Sequence, residues 1–186
     1  MRRRIYPLRP RAGSCYRREM KITRLAIVAY VFALAVIVLD QITKAWMIGM
    51  DLREMRSIPI LPPILNFTWV ENTGVSFGLF GGGAARWGLT VFAIAMSGLL
   101  ALWAMKSERR LLTTALGLVM GGALGNVIDR IRFGYVVDFV DLSGTGVFPW
   151  VFNVADSAIT IGVVLLVLDI IRVEQAAKVG VAHEKS

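Results

Sequence analysis

A single cysteine and a single histidine in 186 residues remove most familiar catalytic chemistries at the outset. One cysteine permits no intrachain disulfide and no cysteine-based metal site, and Cys15 lies in a basic arm at the N-terminus, where we read it as a free cytoplasmic thiol. His183 sits in the polar C-terminal stretch RVEQAAKVGVAHEKS and is not a candidate base, so nucleophilic triads lack their parts and a zinc site lacks its usual ligands. No lysine follows the glycine run at 81–83, which reads as a flexible joint and not a phosphate loop. No metal or other cofactor is expected.

What is abundant is apolar sequence in long runs. Hydrophobic residues make up 56% of the chain, charged residues 18%, and the mean hydropathy is +0.63, which excludes an ordinary soluble domain and indicates an integral membrane protein. Four runs approach the roughly 20 residues a helical span needs, at about 25–48, 87–105, 111–129 and 154–171. The first continues past its apolar part into Asp40 and Lys44 without a small-x-small cleavage site, which favours a retained span over a cleaved signal peptide. Between spans one and two, Pro59, Pro62 and Pro63 forbid a helix while Ile64–Val70 has strand character. Between spans three and four, residues 135–140 alternate, with Val136, Asp138 and Val140 on one face. The expected fold is a membrane all-α bundle of four transmembrane helices, with a small sheet or cradle between helices 1 and 2 and a short strand between helices 3 and 4.

The net charge of +8 is local. Residues 1–24 carry nine Arg/Lys and one Glu, whereas the remainder balances twelve bases with twelve acids. Such an arm beside a span is an orientation and anionic-lipid signal, and no nucleic-acid partner is expected. Residues 1–19 are read as a disordered basic cytoplasmic extension ahead of a second plausible start at Met20, residues 20–172 as a single membrane domain, and 173–186 as a cytoplasmic tail. Loop counts of Lys/Arg, with nine in the arm, three in 106–110 and three from Arg172 onward against five on the other side, place both termini in the cytoplasm. Trp46, Trp87 and Trp150 then mark one interface and Trp103 the other.

With that topology, the polar residues of four separate stretches converge on the outer face: Asp40 and Lys44, Glu71 and Asn72, Asn126, Asp129 and Arg130, and Asn153 and Asp156. Apart from Asp169 and Arg172, spaced to pair at i, i+3, the inner halves lack charge. Several members have plainer explanations. Asp40 and Lys44 can be a structural i, i+4 pair, Glu71-Asn72-Thr73-Gly74 a turn, Asp129 with Arg130 a charge-balanced helix end, and Asn153 with Asp156 a helix cap. Gly117, Gly121 and Gly125 make two overlapping GxxxG spacings suited to close helix packing. Asp141 reads as a solvated turn acid. The remaining chemistry is a carboxylate pair: two such groups a few ångström apart share a proton, the ionised one activating water and the protonated one polarising a carbonyl. Physics alone leaves open which acids form the pair.

The segments Asp40-Gln-Ile-Thr-Lys44, Glu71-Asn-Thr-Gly-Val-Ser-Phe77, Gly125-Asn-Val-Ile-Asp-Arg130, Val137-Asp-Phe139 and Phe152-Asn-Val-Ala-Asp156 resemble, in order, the successive motifs of the bacterial lipoprotein signal peptidase family, signal peptidase II. The resemblance spans about Met20 to Arg172. It implies four transmembrane helices with a small outer-face β-cradle between helices 1 and 2 and between helices 3 and 4, and makes residues 20–172 a single membrane catalytic domain. It also implies an aspartic endopeptidase of the bacterial inner membrane that removes the signal peptide of diacylglyceryl-modified prolipoproteins by cutting before the lipidated cysteine. It assigns the catalytic dyad to Asp138 and Asp156. Asn72, Gly74, Asn126, Arg130 and Asn153 would hold the substrate backbone and the dyad, and Asp40, Lys44 and Asp129 would support the site. Partners would be prolipoprotein substrates and membrane lipids, with the enzyme acting as a monomer. Val75-Ser76 stands where the family often has smaller residues. The rival reading is a small ion- or proton-coupled membrane transporter or adaptor, which would favour charge near the bilayer midplane and a path to both faces. A presenilin-like protease would need a GxGD-type motif that is absent.

Overall fold

The computed structural model describes residues 23–74 and 83–184. The basic arm with Cys15 and Met20, the Val75–Ser76 pair, most of the 81–83 glycine run and the side chain of His183 lie outside the described residues. The chain forms helix α1 (Arg24–Gly49), a short helix α2 (Leu52–Met55), strands β1 (Ser57–Leu61) and β2 (Leu65–Asn72), helices α3 (Ala84–Met105) and α4 (Arg110–Arg132), strand β3 (Val136–Asp141), a 3-10 turn at Ser143–Thr145, strand β4 (Val151–Phe152) and helix α5 (Val154–Glu184).

Helices α1, α3, α4 and α5 are long and apolar enough to cross a membrane. The four are not equivalent. In α4, 61% of the most apolar window is buried, against 17–28% in the other three. It packs on all three, and small residues let it do so: a Cβ on Gly121 would stand 2.7 Å from the Ala33 carbonyl of α1, and one on Gly117 2.9 Å from Phe32 Cβ. On the opposite side, Gly122 faces the Ala155 carbonyl of α5. The packing interpretation of the glycine spacing therefore holds.

The strands form one antiparallel sheet in the order β1-β2-β3-β4, so segments from two different inter-helix connections pair through β2 and β3. Strand β1 includes Pro59, whose missing N–H is tolerated because β1 is an edge. Met47, Leu52, Trp69, Val137 and Phe139 are buried between the sheet and the end of α1. Helix α2 was not apparent from sequence; it follows a left-handed Asp51, at φ 54°.

The helix that holds the fourth apolar run continues past Ile171 to Glu184, in a stretch rich in the helix-favouring Glu, Gln, Ala and Lys. Two expectations are corrected. Asp169 pairs not with Arg172 but with Arg109, at 2.7 Å, because the α3–α4 connection brings Arg109 against α5. Asp141 is no solvated turn acid: it is 8% exposed and accepts hydrogen bonds from Thr68 Oγ1 at 2.7 Å and Ser143 N at 2.9 Å, which hold its carboxyl below the usual carboxylate range. Asp141→Asn is expected to cost about 1 kcal/mol of stability, read by thermal unfolding in detergent, while leaving the far end of β3 in place.

Candidate active site

Strand β3 carries Asp138, 1% exposed, and its two carboxylate oxygens are held from opposite sides. From β2, which pairs Val70 with Asp138, Asn72 Nδ2 donates to Asp138 Oδ2 at 2.9 Å. Asn72 Oδ1 in turn accepts Gly74 N at 2.8 Å, which fixes the amide orientation; Gly74 has φ +78°, a conformation suited to glycine. From the start of α5, Asn153 Nδ2 donates to Asp138 Oδ1 at 2.6 Å and to the Val137 carbonyl at 3.2 Å. The segment 71–74 is therefore not merely a turn.

Asn153 is also the cap of α5. Its Oδ1 accepts Asp156 N at 2.9 Å, and Asp156 Oδ2 accepts Asn153 N at 3.3 Å, the reciprocal pattern of a capping box. Cap and bridge are one residue: the same side chain that starts the helix bearing Asp156 also reaches Asp138. Asn126 Nδ2, from α4, donates to the other Asp156 oxygen, Oδ1, at 2.8 Å.

Beneath this layer lies a buried charge cluster. Lys44, 2% exposed, donates to Asp40 Oδ2 at 2.8 Å, contacts Asp129 Oδ2 at 2.7 Å and donates to Asn126 Oδ1 at 3.2 Å. The two carboxylates extend to the backbone on either side of the site. Asp40 Oδ1 accepts Ala155 N at 3.0 Å, next to Asp156, and Asp129 Oδ2 accepts Val137 N at 3.0 Å, next to Asp138. Gly125 leaves room for this, since a Cβ there would stand 2.8 Å from Asp40 Oδ2. The Asp40–Lys44 pair expected from spacing is present, but it is shared with Asp129.

That sharing corrects the pairing of Asp129 with Arg130. Neighbours on a helix point about 100° apart, so Asp129 turns inward to Lys44 while Arg130 turns toward the sheet. Arg130 Nη2 would lie 3.5 Å from a Cβ on Gly74, and its Nε is buried without a hydrogen-bond partner among the described residues. Glu71 stays out of the cluster, paired with the exposed Arg53 at 3.0 Å. Sequence reading gave no separate role to Gln41, whose Nε2 donates to Asp129 Oδ1 at 2.9 Å and to the Gly125 carbonyl at 3.3 Å; its position beside Asp40 inside an apolar run was the available signal.

Burial raises the pKa of Asp138 to about 6, and the neighbouring charge of Asp156 pushes the same way, against the hydrogen bonds from Asn72 and Asn153 and the charge of Lys44. Two interacting carboxyls, one of them inclined to keep its proton, can act together as acid and base. Asp138 opens onto a cleft of about 360 Å³ that is lined also by residues 70–74 and by Pro149, Trp150 and Val151. Among the described residues no group of His, Cys, Asp and Glu is arranged to hold a metal ion.

The comparisons with known proteins converge. A model of the family described as signal peptidase (SPase) II matches residues 32–172. The lipoprotein signal peptidase of Caulobacter vibrioides is 49% identical over 154 residues, covering 81% of this chain and 90% of that protein. The lipoprotein signal peptidase of Methylorubrum extorquens is 48% identical over 143 residues, covering 75% of this chain and 82% of its own length. A solved bacterial membrane enzyme, determined by the in meso method at 1.9 Å resolution, superposes with a TM-score of 0.68 at 32% identity, covering 77% of this chain and 92% of the other. With the five motifs gathered around one buried cluster and the family match running through all of them, the chain belongs to the signal peptidase II family.

Proposed function

We propose that this protein is the aspartic endopeptidase that removes the signal peptide from diacylglyceryl-modified prolipoproteins, cutting before the lipidated cysteine at the outer face of a bacterial inner membrane. The observation that carries the reading is the bridge at Asn153, which ties Asp156 to Asp138 where Asp138 lines a cleft, in a member of this family. In the reaction, the ionised member of the dyad takes a proton from a water molecule. The resulting hydroxide adds to the scissile carbonyl carbon, while the protonated member donates to the carbonyl oxygen. As the tetrahedral intermediate collapses the C–N bond breaks, the departing amine takes up the dyad's proton, and one hydroxyl of the intermediate returns its proton to the dyad, which is restored to its starting state.

In this reading Asn72, Gly74 and Arg130 hold the substrate backbone along the cleft. Asn126 and Asn153 keep the dyad in place, and Asp40, Lys44 and Asp129 support it from below. Both termini are cytoplasmic, the sheet lies at the outer membrane face as a cradle, residues 20–172 form the catalytic unit, and the enzyme works as a monomer. A transporter is disfavoured because the buried charges gather at one end of the bundle; the opposite end holds the Arg109–Asp169 pair.

Purified protein incubated with a diacylated prolipoprotein and with its unlipidated form, each with and without EDTA, tests the reading. Cleavage of the lipidated form alone, insensitive to chelator, is expected. Equal cleavage of both forms, or of neither, would overturn it.

A further inference from the structure

Lys44 touches neither the cleft nor either of the two acids of the proposed dyad, yet three of the contacts around them, through Asn126, Asp40 and Asp129, lead back to it. Its ammonium has only donors, so Asn126 must turn Oδ1 toward it, and the Asn126 amide N–H then has to face Asp156. The orientation is forced rather than chosen. An amide polarised by a cation on its oxygen side is a better donor on its nitrogen side, and Asp156 receives it. Lys44 also divides its charge between two carboxylates, each bonded to the backbone N–H adjoining one acid: Asp40 at Ala155 and Asp129 at Val137.

We propose that Lys44 is a positioning residue that sets how tightly the Asp138–Asp156 pair holds its shared proton, acting through the Asn126 amide and through the charge it takes up from Asp40 and Asp129. The inference rests on the dyad reading above and extends it. The charged groups around the pair are few. Helix α1 supplies Asp40 and Lys44, α4 supplies Asp129 and Arg130, β2 supplies the neutral Asn72 and, in the cleft lining and paired with Arg53, Glu71, and α5 and β3 supply the dyad itself. Arg130 remains charged at every accessible pH. Asp40 and Asp129 share the one Lys44 ammonium below the dyad, so changing either sign in this cluster must change the dyad's grip on its proton. The positive and negative members must change it in opposite directions.

The test is the pH dependence of kcat/KM for cleavage of a diacylated prolipoprotein. Lys44→Met removes a positive charge, and its profile is expected to move to higher pH by about one unit. Asp129→Asn removes a negative charge, and its profile is expected to move the other way. The double variant restores the local charge balance, and its profile is expected to return to near the wild-type position even where the rate is low. Because Lys44→Met leaves two buried carboxylates without their cation, it can fail to fold. In that case Asp129→Asn against the double variant gives the same sign test, and Lys44→Arg, which keeps the charge, is expected to retain the wild-type profile. Profiles that keep their position while rates fall would show Lys44 to be structural only and overturn the inference, with the protease assignment intact. Wild-type protein that cleaves nothing would instead overturn the assignment itself.

Discussion

Asp138→Asn and Asp156→Asn are each expected to lower kcat/KM by at least about a thousandfold, because each removes one half of the proposed acid–base pair. The protein should still be recovered folded, since both substitutions keep the side-chain volume. For Asp138 a second readout separates chemistry from collapse. Its folded pKa of about 6 lies above the ordinary carboxylate value of 3.8, so between those values the folded state binds more protons than the unfolded one. Stability therefore declines as pH rises through that window and levels off above about 6. The Asn variant has no proton to exchange there. Thermal unfolding in detergent from pH 4 to 7.5 should show a flatter profile for Asp138→Asn than for the wild type. Activity of the wild type should fall on the alkaline side as the pair loses its shared proton. Full activity in either Asn variant would end the dyad assignment.

The second large effect is expected at a residue with no side chain. Gly122 lies against the Ala155 carbonyl and would place a Cβ 2.7 Å from Ile159 Cγ1, so Gly122→Val drives the first turn of α5 away from α4. Overpacking of this kind costs about 1–3 kcal/mol. The functional loss should be larger, because Ala155 N is anchored on Asp40 and Asp156 follows it directly. A displacement of about 1 Å at a reacting group can cost on the order of a hundredfold in rate. Measuring kcat/KM alongside the melting temperature checks this; a variant that loses stability but keeps its rate would show that the α4–α5 contact does not register the site.

Local patterns made much of this arrangement legible. The alternation around Asp138 marked a strand, the three-residue spacing of Asn153 and Asp156 marked a cap, and the glycine periodicity marked the helix that would be packed most closely. Errors arose where local and tertiary partners compete. Asp129 and Arg130 are adjacent in sequence and both suit a helix end, but adjacency on a helix separates side chains instead of joining them, and Lys44 lies more than eighty positions away. Arg172 lost Asp169 to Arg109 for the same reason: a loop delivered a cation that spacing on one helix could not reveal. Asn153 was expected to be either a cap or part of a site. The two alternatives could not be separated in sequence because the side chain has enough donors and acceptors to be both. The choice of Asp138 and Asp156 over Asp129 and Asp40 came from family resemblance.

The unequal burial of the four long helices divides the chain's tolerance to change into two regimes. Residues of α1, α3 and α5 that face outward, such as Leu34, Val91, Phe92 and Ile170, answer mainly to the solvent around them and should exchange freely among apolar types while rejecting charge. Helix α4 is shielded by its three neighbours and answers to its companions. It can keep Asn126 and Asp129 within an apolar bundle because lipid hardly reaches them, and it cannot accept an added methyl group at Gly121 or Gly122 because a neighbouring backbone does. Drift in such a sequence would accumulate as size changes on three helices and as almost nothing on the fourth.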